Sequence, residues 1–129
     1  MNIEFNIPKL LWLDDKRDPF TQSWIEDFSP ISKPYAVYWV KSYDEFVDWI
    51  ELNGLPMVVF FDHDLADQVV EGQNEKTGYE SAKWLVEYCL DSDMEPPIWR
   101  IQSDNPPGRD NINGIMMSYL KHYKNGKRG

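Results

Sequence analysis

The sequence predicts an α/β fold, a three-layer α/β/α sandwich built around a parallel sheet. Apolar and amphipathic stretches alternate along the chain, as expected when crossover helices connect parallel strands. The run Val58–Phe61 is apolar without alternation, which is typical of a strand covered on both faces. Both patterns indicate a sheet that lies between two layers of helices.

The composition is that of one globular domain. The chain has 129 residues, of which 42% are hydrophobic and 15% aromatic, enough for a core of its own. We predict a single domain over residues 1–129, with a core at about 9–122 and a basic tail at 123–129. No apolar run approaches the roughly 20 residues that span a bilayer, and the first residues lack a signal-peptide pattern. We therefore expect a soluble cytoplasmic protein that does not bind membranes.

The charge balance limits the partners that the protein can bind. The formal net charge is −9, from 13 basic and 22 acidic residues. Four of the basic residues lie within 121–129, which has no acid, so residues 1–120 carry 9 − 22 = −13. Non-specific binding of duplex DNA requires a basic surface, so this balance argues against it. A divalent cation is the better expectation.

The first three predicted strands are separated by two predicted helices. Residues 9–13 form the first strand and residues 36–40 the second, which is rich in β-branched and aromatic residues. Between them, residues 20–34 contain a short helix that ends in a proline-containing turn. The second helix starts at Ser42, which forms a capping box with Glu45, and stops at Asn53-Gly54. The third strand covers residues 57–62.

The second half of the chain contains two more helices and a fourth strand. Residues 66–76 are polar and form a loop over the sheet edge, where they can act as a lid. Thr77 starts a helix that ends near Asp91 and places Cys89 on its apolar stripe, which predicts a buried structural thiol. The fourth strand runs from Ile98 to Gln102, and Asp110 can cap the last helix.

Acidic residues follow two of the predicted strands. Asp14 and Asp15 follow the first strand, and Asp62, His63 and Asp64 follow the third. The carboxyl ends of parallel strands share one edge, and ligands bind there in open α/β sheets. Two carboxylates about 4 Å apart repel by roughly 4 kcal/mol at an effective dielectric constant of 20, so the cluster needs a neutralising partner. Oxygen ligands without cysteine suit Mg²⁺ best, with Mn²⁺ and Ca²⁺ as alternatives. The alternative is that these acids cap helices or hold loops.

His63 and the turn after the fourth strand extend this candidate site. Two flanking acids would raise the pKa of His63, which makes it a candidate general acid or base, with a hydrogen-bonded structural role as the alternative. The turn after the fourth strand precedes a helix N-terminus and resembles an anion-receiving turn, or else a tight turn with capping. Candidate phosphate- or substrate-binding residues are Arg17, Gln102, Ser103, Asn105, Gly108 and Arg109.

Taken together, these residues resemble the cyclic-phosphate processing receiver domain family, within the receiver superfamily. The resemblance rests on residues 13–19, 61–65, 77–79 and 103–111. It implies a receiver-like (flavodoxin-like) sandwich truncated at about four to five strands. The resemblance assigns Mg²⁺ (or Mn²⁺) binding to Asp14, Asp15 and Asp62, catalysis to Asp62, His63 and Asp64, and phosphate contacts to Ser103 and Asn105.

The function that this resemblance implies is a metal-dependent phosphoesterase acting on cyclic phosphates, in a phosphate-containing small molecule or at an RNA end. Gln102 stands where we expect a histidine in this family, and glutamine cannot transfer a proton near pH 7. One alternative is therefore a catalytically inactive module that binds a nucleotide or a partner protein. Another is a stand-alone phosphoacceptor response regulator that uses Asp62.

The number of aromatic residues leaves a homodimer open. Core packing accounts for most aromatic side chains in a domain of this size, and stacking on a base or a homodimer patch are the alternatives. The residues concerned are Trp24, Tyr35, Tyr38, Trp39 and Trp99.

Overall fold

The fold is built around a four-stranded parallel sheet. The computed structural model describes residues 7–21, 36–62, 78–102 and 106–127. The strands are β1 (Lys9–Leu13), β2 (Ala36–Val40), β3 (Val58–Phe61) and β4 (Ile98–Ile101), and the helices are α1 (Tyr43–Asn53), α2 (Gly78–Ser92) and α3 (Pro106–Lys127). The strand order is β2-β1-β3-β4, and every neighbouring pair is parallel. The predicted parallel α/β fold is confirmed.

Helix α1 has the ends that its sequence predicts. The Ser42 hydroxyl accepts a hydrogen bond from the Glu45 backbone N–H at 3.1 Å. The Glu45 carboxylate accepts from the Lys41 N–H at 3.4 Å, one residue before the position expected in a capping box. At the other end Gly54 has φ +84°, a conformation that side-chain-bearing residues rarely adopt, and its N–H donates to the Ile50 carbonyl at 2.7 Å.

The prediction that Asp110 caps the last helix is wrong. Helix α3 begins four residues earlier, at Pro106, and Asp110 lies inside it. Proline is compatible with the first turn of a helix because that turn's N–H groups have no intrahelical acceptor. Pro106 and Pro107 therefore start α3 instead of delaying it. The helix continues to Lys127, into the segment predicted as a basic tail.

The two faces of the sheet carry separate apolar clusters. Leu11, Leu13, Val59 and Phe61 face α1, α2 and α3 in a single buried cluster. The alternate residues form the second cluster on the opposite face, where Leu10, Trp12, Val58 and Phe60 are at most 1% exposed. Burial on both faces confirms what the unbroken apolar runs predicted.

Two of the predictions concern residues beyond those that the structure describes. The helix predicted within residues 20–34 falls mostly there, and only a short 3-10 turn, Pro19–Thr21, is described. The loop predicted at residues 66–76 also lies outside the described residues. The three described helices form one layer, on the face that carries Leu11 and Phe61.

Cys89 is fully buried in α2, and desolvation raises the pKa of its thiol from 9.0 to about 11. Because the thiolate is the reactive form, we expect folded protein at pH 8 to resist alkylation by iodoacetamide and urea-unfolded protein to react completely. The raised pKa contributes stability below pH 9 that is lost as the pH rises through about 11. Alkylation of the folded protein at the rate of the unfolded protein would contradict the burial of this thiol.

Among the described residues, the helices are too short or too polar to cross a membrane.

Candidate functional site

The strand register places four polar residues in one row at the carboxyl edge of the sheet. Leu13 is in register with Val40 and Phe61, and Phe61 with Ile101. The row consists of the residues that follow these strand ends, namely Lys41, Asp14, Asp62 and Gln102. Backbone hydrogen bonds continue into this row, since the Asp62 N–H donates to Leu13 at 3.0 Å and the Gln102 N–H donates to Phe61 at 2.8 Å. The place of each residue in this row therefore follows from the pairing of the strands.

Three of the predicted acids lie together in this row and the following loop. Asp14, Asp15 and Asp62 each offer a carboxylate oxygen, and these oxygens lie within 4.8 Å of one another. Asp14 is 1% exposed, and the other two are half-buried. Three carboxylates at this spacing form a concentrated negative charge that a hard divalent cation can neutralise.

The carboxylate of Asp14 is held by hydrogen bonds to both of its oxygens. Oδ1 accepts from the backbone N–H groups of Lys16 at 2.8 Å and Arg17 at 2.9 Å. Oδ2 accepts from the side-chain amide of Gln102 at 3.0 Å. An aspartate that accepts from the backbone two and three residues later stabilises a tight turn, so Asp14 shapes the loop and contributes to the acidic cluster.

Two tryptophans on the same face of the sheet position this loop, a role that was not predicted from the sequence. The indole N–H of Trp12 donates to the Arg17 carbonyl at 2.9 Å, and that of Trp39 donates to the Asp14 carbonyl at 2.7 Å. Trp12 and Trp39 are partners in the β1–β2 register. The available sequence signal was a tryptophan near the end of each strand, but only the pairing register shows that both act on the same loop.

Trp39 and Trp99 were predicted to lie in the core, to stack on a base or to form a homodimer patch, and both are half-buried. Their indole groups make intramolecular hydrogen bonds, that of Trp99 to the Asn113 carboxamide oxygen at 3.1 Å. Tyr38 is 39% exposed and contacts Trp49. Trp24 and Tyr35 lie outside the described residues.

Gln102 reaches from β4 across β3 to the acid that follows β1. Its amide nitrogen donates to Asp14, which leaves its amide oxygen pointing elsewhere. That oxygen, Oε1, is buried and has no hydrogen-bond partner among the residues that the structure describes. Burying an amide oxygen without a donor is unfavourable, so this atom is suited to accept from a water or a hydroxyl group bound at the site.

Of the other predicted site residues, three are described by the structure and four are not. Arg17 lies close to this row, with its guanidinium 3.5 Å from the Gln102 carbonyl. Gly108 is buried and Arg109 is exposed in the first turns of α3, where Arg109 lines a groove against β4. The remaining four, His63, Asp64, Ser103 and Asn105, lie outside the described residues, so their roles stay predictions.

Comparison with known proteins identifies a family and a fold. The family model described as "Cyclic-phosphate processing Receiver domain" matches residues 9–118. No protein with a curated description matches the chain. Among solved structures, the chain is similar to a fusion of amino acids 181–211 of the yeast Spc42 trimeric coiled coil, with 14% identity and a TM-score of 0.52, covering 98% of this chain and 88% of that chain. This likeness concerns the fold alone.

A second solved structure with some similarity is NtrX from Brucella abortus. The identity is 14%, and the match covers 95% of this chain and 28% of that chain. Its TM-score of 0.41 is too low to support a structural argument.

Proposed function

The chain belongs to the cyclic-phosphate processing receiver domain family, and we propose that it is a metal-dependent phosphoesterase that opens cyclic phosphates. The substrate would be a cyclic nucleotide or a 2′,3′-cyclic phosphate at an RNA end. The observation that carries the proposal is the cluster of Asp14, Asp15 and Asp62 at the carboxyl edge of the sheet.

The residues present fit Mg²⁺ or Mn²⁺. The three acids offer only carboxylate oxygens, the ligands that hard divalent cations prefer. The buried Gln102 Oε1, to which no described residue donates, is suited to accept from one of the waters that Mg²⁺ usually retains. When bound, the ion would stabilise negative charge on the phosphoryl oxygens and lower the pKa of bound water.

The protein's own residues would orient the phosphate and move protons. In the reaction, a water gives up one proton to a base as its oxygen bonds to phosphorus, one ring P–O bond breaks, and the released alkoxide takes up a proton, so that the net change is the addition of one water to give a phosphomonoester. The Arg17 guanidinium lies 3.5 Å from the Gln102 carbonyl, which supports a charge-assisted contact with a phosphate at the carboxyl edge. His63 and Asp64 follow Asp62 directly in the chain and are the candidates for the proton transfers.

Hydrolysis assays test this function directly. We expect the protein to hydrolyse 2′,3′-cyclic AMP or 3′,5′-cyclic AMP in the presence of Mg²⁺ or Mn²⁺, and to lose this activity in EDTA. Absence of turnover with both substrates and both metals would refute the enzymatic proposal. Labelling of the protein by acetyl phosphate in that case would favour the phosphoacceptor role of Asp62.

A catalytically inactive binding module is the second candidate function, and Gln102 favours it. The Gln102 side chain occupies its place in the site by donating to Asp14, a bond that needs no proton transfer. Metal-dependent binding of a cyclic nucleotide without its hydrolysis would support this function over the first.

Replacement of Gln102 separates the two functions. A histidine there can donate to Asp14 and also transfer protons near neutral pH, so Gln102→His should raise turnover at least about tenfold if the protein is an enzyme. Gln102→Leu is the matched control, because it removes the donor to Asp14 and adds no proton-transfer group. Turnover would be measured by phosphate-ester analysis over pH 5 to 8. Equal turnover in all three proteins would contradict a proton-transfer role for this position.

A further inference from the structure

The outer edge of β4 presents backbone hydrogen-bonding groups in a regular pattern. The N–H groups of Ile98 and Gln102 donate inward to β3, to Met57 at 3.0 Å and Phe61 at 2.8 Å. Successive residues of a parallel strand point their backbone groups to alternate sides, so those of Trp99 and Ile101 face outward. Within the residues that the structure describes, the sheet ends at β4 and no strand pairs with this edge.

A groove lies along this edge, between β4 and α3. Its volume is about 760 Å³, and apolar side chains of β4 and α3 form much of its lining, with Trp99 and Met117 among them. A residue in a strand rises by about 3.3 Å, neighbouring strands lie about 4.8 Å apart, and packed layers lie about 10 Å apart. Each strand residue therefore occupies roughly 160 Å³. The groove therefore accommodates about five residues of extended chain, close to the four-residue length of β4.

The charges around the groove indicate the chemistry of what it binds. Arg100 and Arg109 line it together with one acid, Asp110. Lys121 and Lys124 continue the basic character along α3, beside the exposed side chain of Met117. Residues 1–120 carry a net charge of −13, so this basic strip stands out on an acidic protein and complements an acidic ligand.

Full-length pairing of β4 with the same strand of a second copy is unfavourable at this edge. Antiparallel pairing of two β4 strands about a two-fold axis, with Trp99 opposite Ile101 of the other copy, would set Arg100 directly opposite its own equivalent. Like charges directly opposite each other destabilise a strand pair. The Arg100 guanidinium also covers the outward Trp99 carbonyl at 3.2 Å, as charged residues on edge strands do to prevent self-pairing.

We propose that the outer edge of β4 binds an acidic peptide in extended conformation, which adds a fifth strand to the sheet. The peptide backbone pairs with the outward N–H and C=O groups of Trp99 and Ile101. Its carboxylates draw the Arg100 side chain away from the Trp99 carbonyl and contact Arg109. Its apolar side chains enter the groove beside Trp99 and Met117.

The test uses a synthetic acidic peptide and the whole protein. The probe is acetyl-Glu-Val-Asp-Val-Glu-Val-amide, titrated by NMR with amide hydrogen exchange measured at saturation. We expect exchange to slow at Trp99 and Ile101, since both amides gain acceptors. Arg100→Glu should weaken binding about tenfold, whereas Lys83→Glu, an equal charge reversal at an exposed position on α2, should leave it unchanged.

Two further peptides distinguish strand addition from charge attraction alone. A peptide with lysine in place of each acid should fail to bind, and one with alternate N-methylated residues should lose binding although its charge is the same. Equal binding of any control peptide, or unchanged exchange at Trp99 and Ile101, would overturn the proposal. Binding of hexauridylate to this edge without binding of the acidic peptide would overturn it in favour of RNA. If the protein forms dimers without any peptide, and exchange at these two amides is already slow, the edge binds a second copy of the chain and the proposal is overturned.

Discussion

Replacement of Asp62 by alanine is expected to lower Mg²⁺ affinity at least about 100-fold. Asp62 supplies one of three carboxylate oxygens that lie within 4.8 Å of one another. Two unit charges 4.8 Å apart interact by about 3.5 kcal/mol at an effective dielectric constant of 20. At such distances each carboxylate contributes strongly to the attraction of a cation. Calorimetric titration with Mg²⁺ and Mn²⁺, alone and with a cyclic nucleotide, measures the effect.

The same substitution should leave the fold intact. The Asp62 backbone N–H, which donates to Leu13 at 3.0 Å, is retained in the alanine variant. Removal of one of three repelling carboxylates should keep the metal-free Tm at or above that of the natural protein. Mg²⁺ should raise the Tm of the natural protein and have no such effect on the variant, because a ligand stabilises only the state that binds it.

Asp48→Ala is the control for net charge. Asp48 is exposed on α1, so its loss changes the charge of the protein by the same amount without touching the cluster. We expect this control to bind Mg²⁺ like the natural protein. Mg²⁺-dependent stabilisation that persists in Asp62→Ala would show that the ion binds elsewhere, and equal losses in both variants would assign the effect to net charge.

Phe61→Ala is expected to have the largest effect on stability, a loss of about 3 to 5 kcal/mol in the free energy of unfolding. The Phe61 side chain is fully buried and packs against the Phe46 ring at a centroid distance of 5.9 Å. Its backbone is paired with Leu13 on one side and Ile101 on the other, so the cavity would open under an interior strand, near the carboxyl edge of the sheet. Urea unfolding followed by circular dichroism gives the difference from the shift of the midpoint.

Leu52→Ala provides the comparison for this measurement. Leu52 is 86% exposed on α1, and its truncation should change the free energy of unfolding by less than about 0.5 kcal/mol. A loss for Phe61→Ala that is no larger than the loss for Leu52→Ala would contradict tight packing around Phe61. A Phe61→Ala protein that fails to fold would agree with the prediction, and Phe61→Leu, with a smaller loss, would then supply the measurement.

Local sequence patterns predicted most of the described fold. The strands at residues 9–13 and 36–40 and the ends of α1 agree with the structure because burial and capping depend on short-range sequence. The third and fourth strands were predicted too long, since Asp62 and Gln102 follow the strands and are not part of them. The start of α3 was missed because two consecutive prolines usually indicate a turn or loop, although proline also fits the first turn of a helix.

The candidate site was predicted in part. Acids at the ends of two buried runs predicted the convergence of Asp14, Asp15 and Asp62, since parallel strands end at one edge. Gln102 was predicted to contact phosphate or substrate, which stays a prediction, and the structure adds that its amide donates to Asp14. That contact joins residues 88 positions apart, and no local pattern reports a side chain that crosses an intervening strand.

Residue types at the ends of recognisable strands were enough to predict the fold class, the acidic edge and the family. The organisation of that edge depends on contacts between distant parts of the chain. The register of β1 with β2 directed two tryptophans onto one loop, and the register of β3 with β4 brought Gln102 to Asp14. Strand order also left the backbone groups of Trp99 and Ile101 at the outer edge. Register and order arise from the packing of distant segments, and the sequence of a single segment does not specify them.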